Sequence, residues 1–170
     1  MSRSPVRSLL RRPALRVLLA VGVVLVVAGL LVFEPWKLVI DRTVDEALPG
    51  PAAPVVLARG ELIGHEHASS GSVAVLGLPD GSRVLRLEDL RTSDGPLLKV
   101  WLTDAPVIEG RDGWYVFDDG RHVDLGDLKG NIGSSNYPVP ADVDLTALTS
   151  LSIWCDRFHV SFAAAALRPV

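Results

Sequence analysis

The pattern of hydrophobic and polar positions differs sharply between the two ends of the chain. An unbroken apolar run extends from Val17 to Phe33, whereas the residues after Val55 form short apolar stretches between turn residues. The long run has the length of a membrane-spanning helix, and short runs spaced about 8–12 residues apart are typical of all-β domains. The pattern therefore predicts one transmembrane helix over residues 14–33 and a β-domain over residues 55–170.

Turn signals divide the predicted β-domain into strands. Pro79-Asp80-Gly81 and Asp118-Asp119-Gly120 are both typical of tight turns between paired strands. Residues 126–140 are rich in glycine, asparagine and proline, so they are predicted to form a loop. We expect an antiparallel β-sandwich or barrel. Its predicted strands are Val55–Gly64, Ser72–Leu78, Ser82–Leu87, Leu97–Thr103, Trp114–Phe117, His122–Leu125 and Ser150–Ala164.

The last predicted strand changes the parity of its apolar positions at Asp156-Arg157. Because side chains alternate between the two faces of a strand, this change predicts a bulge or a two-residue turn. With the turn, Cys155 lies opposite Phe158 and faces the core. Trp154 and His159 then pair on the outer face of the sheet.

The charges around the apolar run predict its orientation. All five basic residues that precede it are arginines, and no acidic residue comes before Glu34. Because positive charge favours the cytoplasmic side, we predict a basic cytoplasmic tail over residues 1–13 and a single-pass anchor in the cell membrane. The C-terminal domain is then extracytoplasmic, and the lipid bilayer is the partner of residues 14–33. A cleaved signal peptide is the alternative, but no small-residue cleavage motif follows Phe33 directly.

The stretch between the anchor and the β-domain, residues 34–54, is predicted to be a helix followed by a linker. Trp36, Ile40 and Val44 recur at helical spacing among charged residues, which indicates a juxtamembrane helix. The three prolines that follow Leu48 cannot continue a helix and predict a short, semi-rigid linker.

Charge and cysteine content exclude several function classes. All 20 acidic residues but only 12 of the 17 basic ones lie after Phe33, which leaves that part of the chain with a net charge of about −8. Such an acidic domain is not expected to bind nucleic acid. A single cysteine, Cys155, excludes an intrachain disulfide and any CxxC motif. No nucleophile elbow or HExxH-like spacing is present, so we do not expect a stand-alone enzyme.

The predicted β-domain carries a series of short motifs in a defined order. They are Gly60, His65, Ser70-Gly71, Leu87–Leu102, Asp124–Gly133, Asn136–Pro140, Ile153–Cys155, Phe158–Phe162, Ala165 and Leu167. In order and spacing, these motifs resemble the DM13 domain family over about 110 residues. Leu90, Trp101 and Ser134-Ser135 depart from the usual family pattern, and none of these departures touches the cysteine.

The resemblance implies an extracytoplasmic β-domain that is linked to electron transfer. The hallmark of the family is the cysteine of a Trp-Cys pair, which is Trp154-Cys155 in this chain. The resemblance therefore implies a redox role for Cys155 and a redox partner protein. It implies no cofactor bound by this chain.

Two interpretations of Cys155 stay open at the level of sequence. A redox thiol needs access and a lowered pKa, and Arg157 and His159 are close enough in sequence to lower it. The inward orientation instead favours an inert packed cysteine. The chain is then either a membrane-tethered electron-transfer domain with Cys155, Trp154 and His159 at its site, or a non-enzymatic cell-surface binding module with a structural core cysteine.

Two histidines are the candidate metal ligands. In an extended segment His65 and His67 share one face, and together with Cys155 they would suit a blue-copper type of site. The axial methionine of such a site is missing, because Met1 is the sole methionine of the chain. We therefore predict no metal site and expect His65 to be hydrogen-bonded within the structure and His67 to be solvated.

Overall fold

The computed structural model describes residues 13–50 and 53–170. Within these ranges the chain forms one long α-helix, α1 (Pro13–Phe33), and a set of strands that build two sheets. The strands are β1 (Thr43–Asp45), β2 (Val55–Glu61), β3 (Ile63–Gly64), β4 (Ser70–Gly77), β5 (Arg83–Arg91), β6 (Leu98–Thr103), β7 (His122–Asp127), β8 (Ile132–Val139), β9 (Ser150–Cys155), β10 (Val160–Ala166) and β11 (Arg168–Pro169). The predicted β-sandwich preceded by one apolar helix is confirmed.

Helix α1 and the chain from Trp36 onward are two separate units. In the part of the chain that the structure describes, α1 is the one helix that is long and apolar enough to cross a membrane. It is consistent with a membrane anchor, although a signal sequence meets the same criteria of length and composition. The predicted basic tail falls largely on residues 1–12, which lie outside the described residues.

The two sheets enclose the main hydrophobic core. The first sheet has the strand order β1-β8-β5-β4-β2-β11, and the second has the order β3-β10-β9-β6-β7. The chain changes from the first sheet to the second at Leu62, where β2 ends and β3 begins. The turn at Pro79-Asp80-Gly81 joins β4 to β5 as predicted, and β6 directs Leu98, Val100 and Leu102 into the core.

The predicted juxtamembrane helix is wrong. Pro35–Leu38 forms a short 3₁₀ turn, and Thr43–Asp45 forms β1, which pairs in parallel with β8. The backbone of β8 comes very close to β1 at Gly133, where a side chain would collide with the Val44 carbonyl group. Because β-branched residues suit strands and tertiary pairing outweighs a short helical periodicity, the segment is extended.

The predicted loop at residues 126–140 is also wrong, because most of it forms β8. Gly133 adopts a positive φ of 100° and allows the close pairing with β1. Pro138 pairs with Val84 of β5 on one side. Strand β1 does not extend to Pro138, so no strand of the described ranges lies on its other side. This edge position tolerates the missing N–H group of proline.

Residues 104–121, which we call the covering loop, replace the predicted strand at Trp114–Phe117. The covering loop connects β6 to β7 and contains a 3₁₀ turn at Arg111–Gly113. Phe117 is fully buried in a cluster on the outer side of the second sheet. Burial against that sheet, rather than strand pairing, therefore fixes this segment.

Asn131 ties the segment before β1 to the first sheet, at the end of β5 and the start of β8. Its Oδ1 accepts a 2.7 Å hydrogen bond from the Arg42 backbone N–H, and its Nδ2 donates to Asp41 at 2.8 Å and to the Thr92 carbonyl at 2.9 Å. The side chain is fully buried, so each of these bonds replaces one that water would otherwise provide.

We expect Asn131→Ala to lower the free energy of unfolding by about 1–3 kcal/mol, because the buried Thr92 carbonyl and the Arg42 N–H lose their partner. Urea denaturation of the full chain measures this change. Asn131→Asp should not restore stability, since a carboxylate keeps the acceptor for Arg42 but faces Asp41 and the Thr92 carbonyl. Wild-type stability in both variants would contradict this role.

Candidate functional site

Strand β9 positions the Trp154-Cys155 pair in the middle of the second sheet. It lies between β10 and β6, and every one of its residues is buried. Alternation directs Cys155 and Ile153 into the core between the sheets, whereas Trp154 and Ser152 point to the opposite face. The predicted inward orientation of the thiol is therefore what the structure shows.

The turn after Cys155 is longer than predicted. Four residues, Asp156–His159, connect β9 to β10, so Cys155 pairs with Val160 rather than with Phe158. Phe158 is 42% exposed in the turn, and a bulge after Ser161 restores the inward parity of β10. The change of parity correctly predicts an interruption of the strand after Cys155. The interruption is a four-residue turn followed by a bulge, rather than a two-residue turn.

The thiol of Cys155 is completely enclosed. Its exposed fraction is 0%, and Sγ donates a hydrogen bond to the Pro96 carbonyl oxygen at 3.2 Å. Burial raises the pKa of the Cys155 thiol and outweighs the hydrogen bonds from the backbone N–H groups of Phe158 and Arg157, which lower it. The thiol is therefore protonated, which removes the thiolate that disulfide exchange requires.

His159 does not approach the thiol. It lies in the turn with a positive φ of 50°, and its Nδ1 is 3.2 Å from the carboxylate of Asp118 in the covering loop. Its ring meets Trp154 edge-on at a centroid distance of 6.4 Å. The predicted contact of Trp154 with His159 exists, but Ser161 rather than His159 is the strand partner of Trp154.

Three rings on the outer face of the second sheet form what we call the aromatic ladder: His122, Trp101 and Trp154. The Trp101 ring stacks on His122 at a centroid distance of 4.0 Å and on Trp154 at 5.2 Å. Phe117 of the covering loop packs against Trp154 edge-on at 6.5 Å. The outer face is therefore buried under the covering loop, and Trp154 is not exposed.

The indole groups of the ladder have an unusual property. The Nε1 atoms of Trp101 and Trp154 are buried and have no hydrogen-bond partner among the described residues, as is also true of Trp114. Buried tryptophan N–H groups normally find an acceptor, so each unpaired group has a cost in stability. The sequence signal for the ladder was the position of Trp101 and Trp154 on the face opposite to the core residues.

His65 belongs to a polar network on the same outer face. Its Nδ1 is 2.9 Å from Ser161 Oγ, which accepts a hydrogen bond from Ser152 Oγ at 3.0 Å. Its Nε2 is 3.1 Å from the Ile108 carbonyl oxygen. Since a carbonyl can only accept, the neutral ring carries its proton on Nε2. Burial lowers the pKa of His65, in agreement with a neutral imidazole.

The two candidate metal ligands do not converge with the thiol. His65 lies with Ser152 and Ser161 on one face of the second sheet, and Cys155 lies on the other. His67 instead pairs with Glu66 at 2.5 Å and packs its ring on Phe162 at 4.0 Å. Within residues 13–50 and 53–170, no cluster of three or more histidine, cysteine, aspartate or glutamate side chains could hold a metal ion.

Comparison with known proteins identifies the domain that contains these residues. The family model described as electron transfer DM13 matches residues 61–167, which is more than half of the chain. The chain belongs to the DM13 family. Searches of curated proteins and of solved structures found no match. The DM13 match spans both Cys155 and the whole aromatic ladder, and it links the domain in general terms to redox chemistry.

We expect the stability of this DM13 domain to depend on pH through His65. Below the ordinary histidine pKa of about 6.5 the unfolded chain binds a proton that the folded chain, with its lowered pKa, still excludes. Acidification from neutral pH therefore favours unfolding. Between neutral and acidic pH, the urea midpoint should fall less in His65→Gln than in the wild type. An unchanged pH dependence in His65→Gln would rule out this contribution.

Proposed function

We propose that the chain is a membrane-tethered DM13 domain that takes part in electron transfer outside the cytoplasm, with Cys155 as its redox-active group. The observation that carries the proposal is the place of the chain's single thiol: it is enclosed in the core beside Trp154, from which the aromatic ladder extends. Membership of a family described as electron transfer DM13 supports the general class of function. The protein then acts with a redox partner protein rather than as a stand-alone enzyme.

The environment of Cys155 favours one-electron over two-electron chemistry. Disulfide exchange requires a thiolate in direct contact with the attacking group, and the enclosed, protonated thiol provides neither. One-electron oxidation needs no such contact, because electrons tunnel across a few ångströms of packed protein. In this step the S–H bond breaks and a thiyl radical is left on sulfur. The proton leaves along the hydrogen bond to the Pro96 carbonyl oxygen and ends in solvent water, and the electron reduces a metal centre in the partner protein.

The second candidate function is a non-enzymatic interaction module at the cell surface with a structural cysteine. The complete burial of Cys155 and its raised pKa favour this candidate as well, because both are typical of an inert core cysteine. The two candidates differ in one respect that can be measured. Only the redox candidate allows the folded protein to lose an electron from a sulfur atom that no reagent touches.

We expect Cys155 in the folded protein to resist a small maleimide but to be oxidised by hexachloroiridate(IV), an outer-sphere one-electron oxidant. The maleimide needs contact with a thiolate and should label only after denaturation. The thiyl radical formed by iridate reacts with oxygen to sulfinic or sulfonic acid, which peptide mass spectrometry detects at Cys155.

Two comparisons make the oxidation experiment decisive. Thr149→Cys in a Cys155→Ser background provides an exposed control thiol, which should react with both reagents. Thermal unfolding of Cys155→Ser checks that the fold is kept. If Cys155 survives iridate unoxidised in the folded wild type, the structural-cysteine candidate is correct and the redox proposal is wrong.

The membrane part of the proposal rests on α1 and on the arginines that precede it. The helix is apolar over its length apart from Arg16, and the chain has no acidic residue before Glu34. At about 1.5 Å per residue, twenty helical residues span the hydrocarbon core of roughly 30 Å. The positive-inside rule then assigns the N-terminus to the cytoplasm and the DM13 domain to the opposite side.

We expect a chain with different epitope tags at its two ends to keep both tags on one polypeptide in the membrane fraction after alkaline carbonate extraction. A protease added to intact cells or spheroplasts should remove the C-terminal tag and spare the N-terminal one. Loss of the N-terminal tag from the mature protein would instead identify residues 1–33 as a cleaved signal. Protection of the C-terminal tag would contradict the orientation.

A further inference from the structure

The aromatic ladder crosses three neighbouring strands of the second sheet. His122 opens β7, Trp101 lies in β6 and Trp154 lies in β9. Trp101 pairs across the strands with Ser152, so Trp154 is its diagonal neighbour on the same face. His122 is its diagonal neighbour on the other side, because the register pairs Thr103 with His122. Strand register thus aligns the three rings in one continuous stack.

Burial increases along the ladder from one end to the other. His122 is exposed and lines a surface groove of about 500 Å³ together with Arg121 and Asp144. Trp101 is 6% exposed and Trp154 is 0% exposed. The ladder therefore leads from solvent to the residue that directly precedes Cys155.

The unpaired indole N–H groups give the ladder a specific chemical property. A tryptophan that loses one electron becomes a strongly acidic radical cation, and it normally passes its N–H proton to a hydrogen-bonded acceptor. For Trp101 and Trp154 the described residues offer no such acceptor, and both Nε1 atoms are buried from solvent. Their protons therefore stay in place, and an electron can return to each ring without any proton movement.

We propose that Trp101 and Trp154 form an electron relay between Cys155 and a high-potential one-electron oxidant that approaches His122. The oxidant belongs to a partner protein and is a metal centre in a high oxidation state, since indole groups yield an electron only to a strong oxidant. The inference rests on the proposed function at its inner end, where Cys155 is the electron donor. Its outer part, from the surface to Trp154, stands on the geometry of the ladder.

Electrons and protons balance along the relay. Trp101 gives one electron to the oxidised metal centre, which is reduced by one unit, and Trp154 then reduces the Trp101 radical cation. No bond forms or breaks at either indole. Cys155 finally reduces Trp154: its S–H bond breaks and a thiyl radical remains. Unlike the indole N–H groups, the S–H group has a hydrogen-bonded acceptor, so the proton leaves by way of the Pro96 carbonyl oxygen and ends in solvent water. The net reaction transfers one electron from the thiol to the partner's metal.

A photochemical oxidant attached beside His122 tests the relay in the full chain in detergent. Arg121→Cys accepts a thiol-reactive ruthenium(II) polypyridyl complex, because the Arg121 side chain is 73% exposed and Cys155 is enclosed. Light and the external quencher hexaammineruthenium(III) generate ruthenium(III) at the label. Its reduction back to ruthenium(II) is then followed by transient absorption. The same label at Ser82→Cys, in the exposed turn of the other sheet, is the positional control.

Matched substitutions identify the residues that carry the electron. We expect a fast phase of ruthenium(III) reduction with the label at position 121 and none with the label at position 82. Trp101→Phe should lose the fast phase, whereas Trp114→Phe should keep it. Trp114 is the suitable control because its indole N–H is also unpaired, but its ring contacts Tyr115 and Arg111 rather than the ladder. A fast phase that survives Trp101→Phe, or that is equal at both label positions, would overturn the relay.

Two further variants keep the outcomes distinguishable. If Trp101→Phe fails to fold, exposed His122→Leu takes its place and should slow the fast phase. Cys155→Ser with the label at position 121 should keep the fast phase but lengthen the lifetime of the indole radical, since the inner donor is gone. If the indole radical lives equally long with and without the Cys155 thiol, the relay exists but Cys155 is not its electron donor. That outcome would contradict the proposed function and leave the outer part of the relay intact.

Discussion

The burial of β9 on both faces is the constraint on which the rest of the domain depends. A strand with period two must direct neighbouring side chains to opposite faces, so the Trp154-Cys155 pair contributes one residue to each of two cores. A slip of one residue would place the Trp154 ring in the main core and the Cys155 thiol in the cluster under the covering loop. Two sheets enclose one face and the covering loop encloses the other, and this double enclosure fixes the register of the whole second sheet.

The same enclosure decides which chemistry is open to the thiol. Burial protects Cys155 from reagents that must touch it and keeps it protonated, and both effects work against thiol exchange. The ladder on the opposite face of the sheet comes within one residue of the sulfur without exposing it. A group sealed from collision can still exchange electrons through packed rings, so the burial of Cys155 is compatible with the redox role proposed for it.

Much of this arrangement could be predicted from local signals, and the remainder could not. The turn at Pro79-Asp80-Gly81 and the inward thiol of Cys155 follow from turn chemistry and from alternation, which neighbouring residues determine. Strand β1 could not be predicted, because its pairing depends on Asn131, which is 89 residues from Arg42 in sequence. The aromatic ladder likewise needs the register of three strands, and no local pattern shows how Trp101 and Trp154 meet.

The parallel pairing of β1 with β8 has a consequence for the order of events during synthesis. Strand β1 cannot pair until the segment around Asn131 has been translated, 89 residues after Arg42. At ordinary translation rates this interval is roughly 4 to 18 s, during which the hairpin of β4 and β5 can already form. Until then β1 is an unpaired edge in a nascent chain, and its short length of three residues limits the chance that it pairs with a neighbouring molecule.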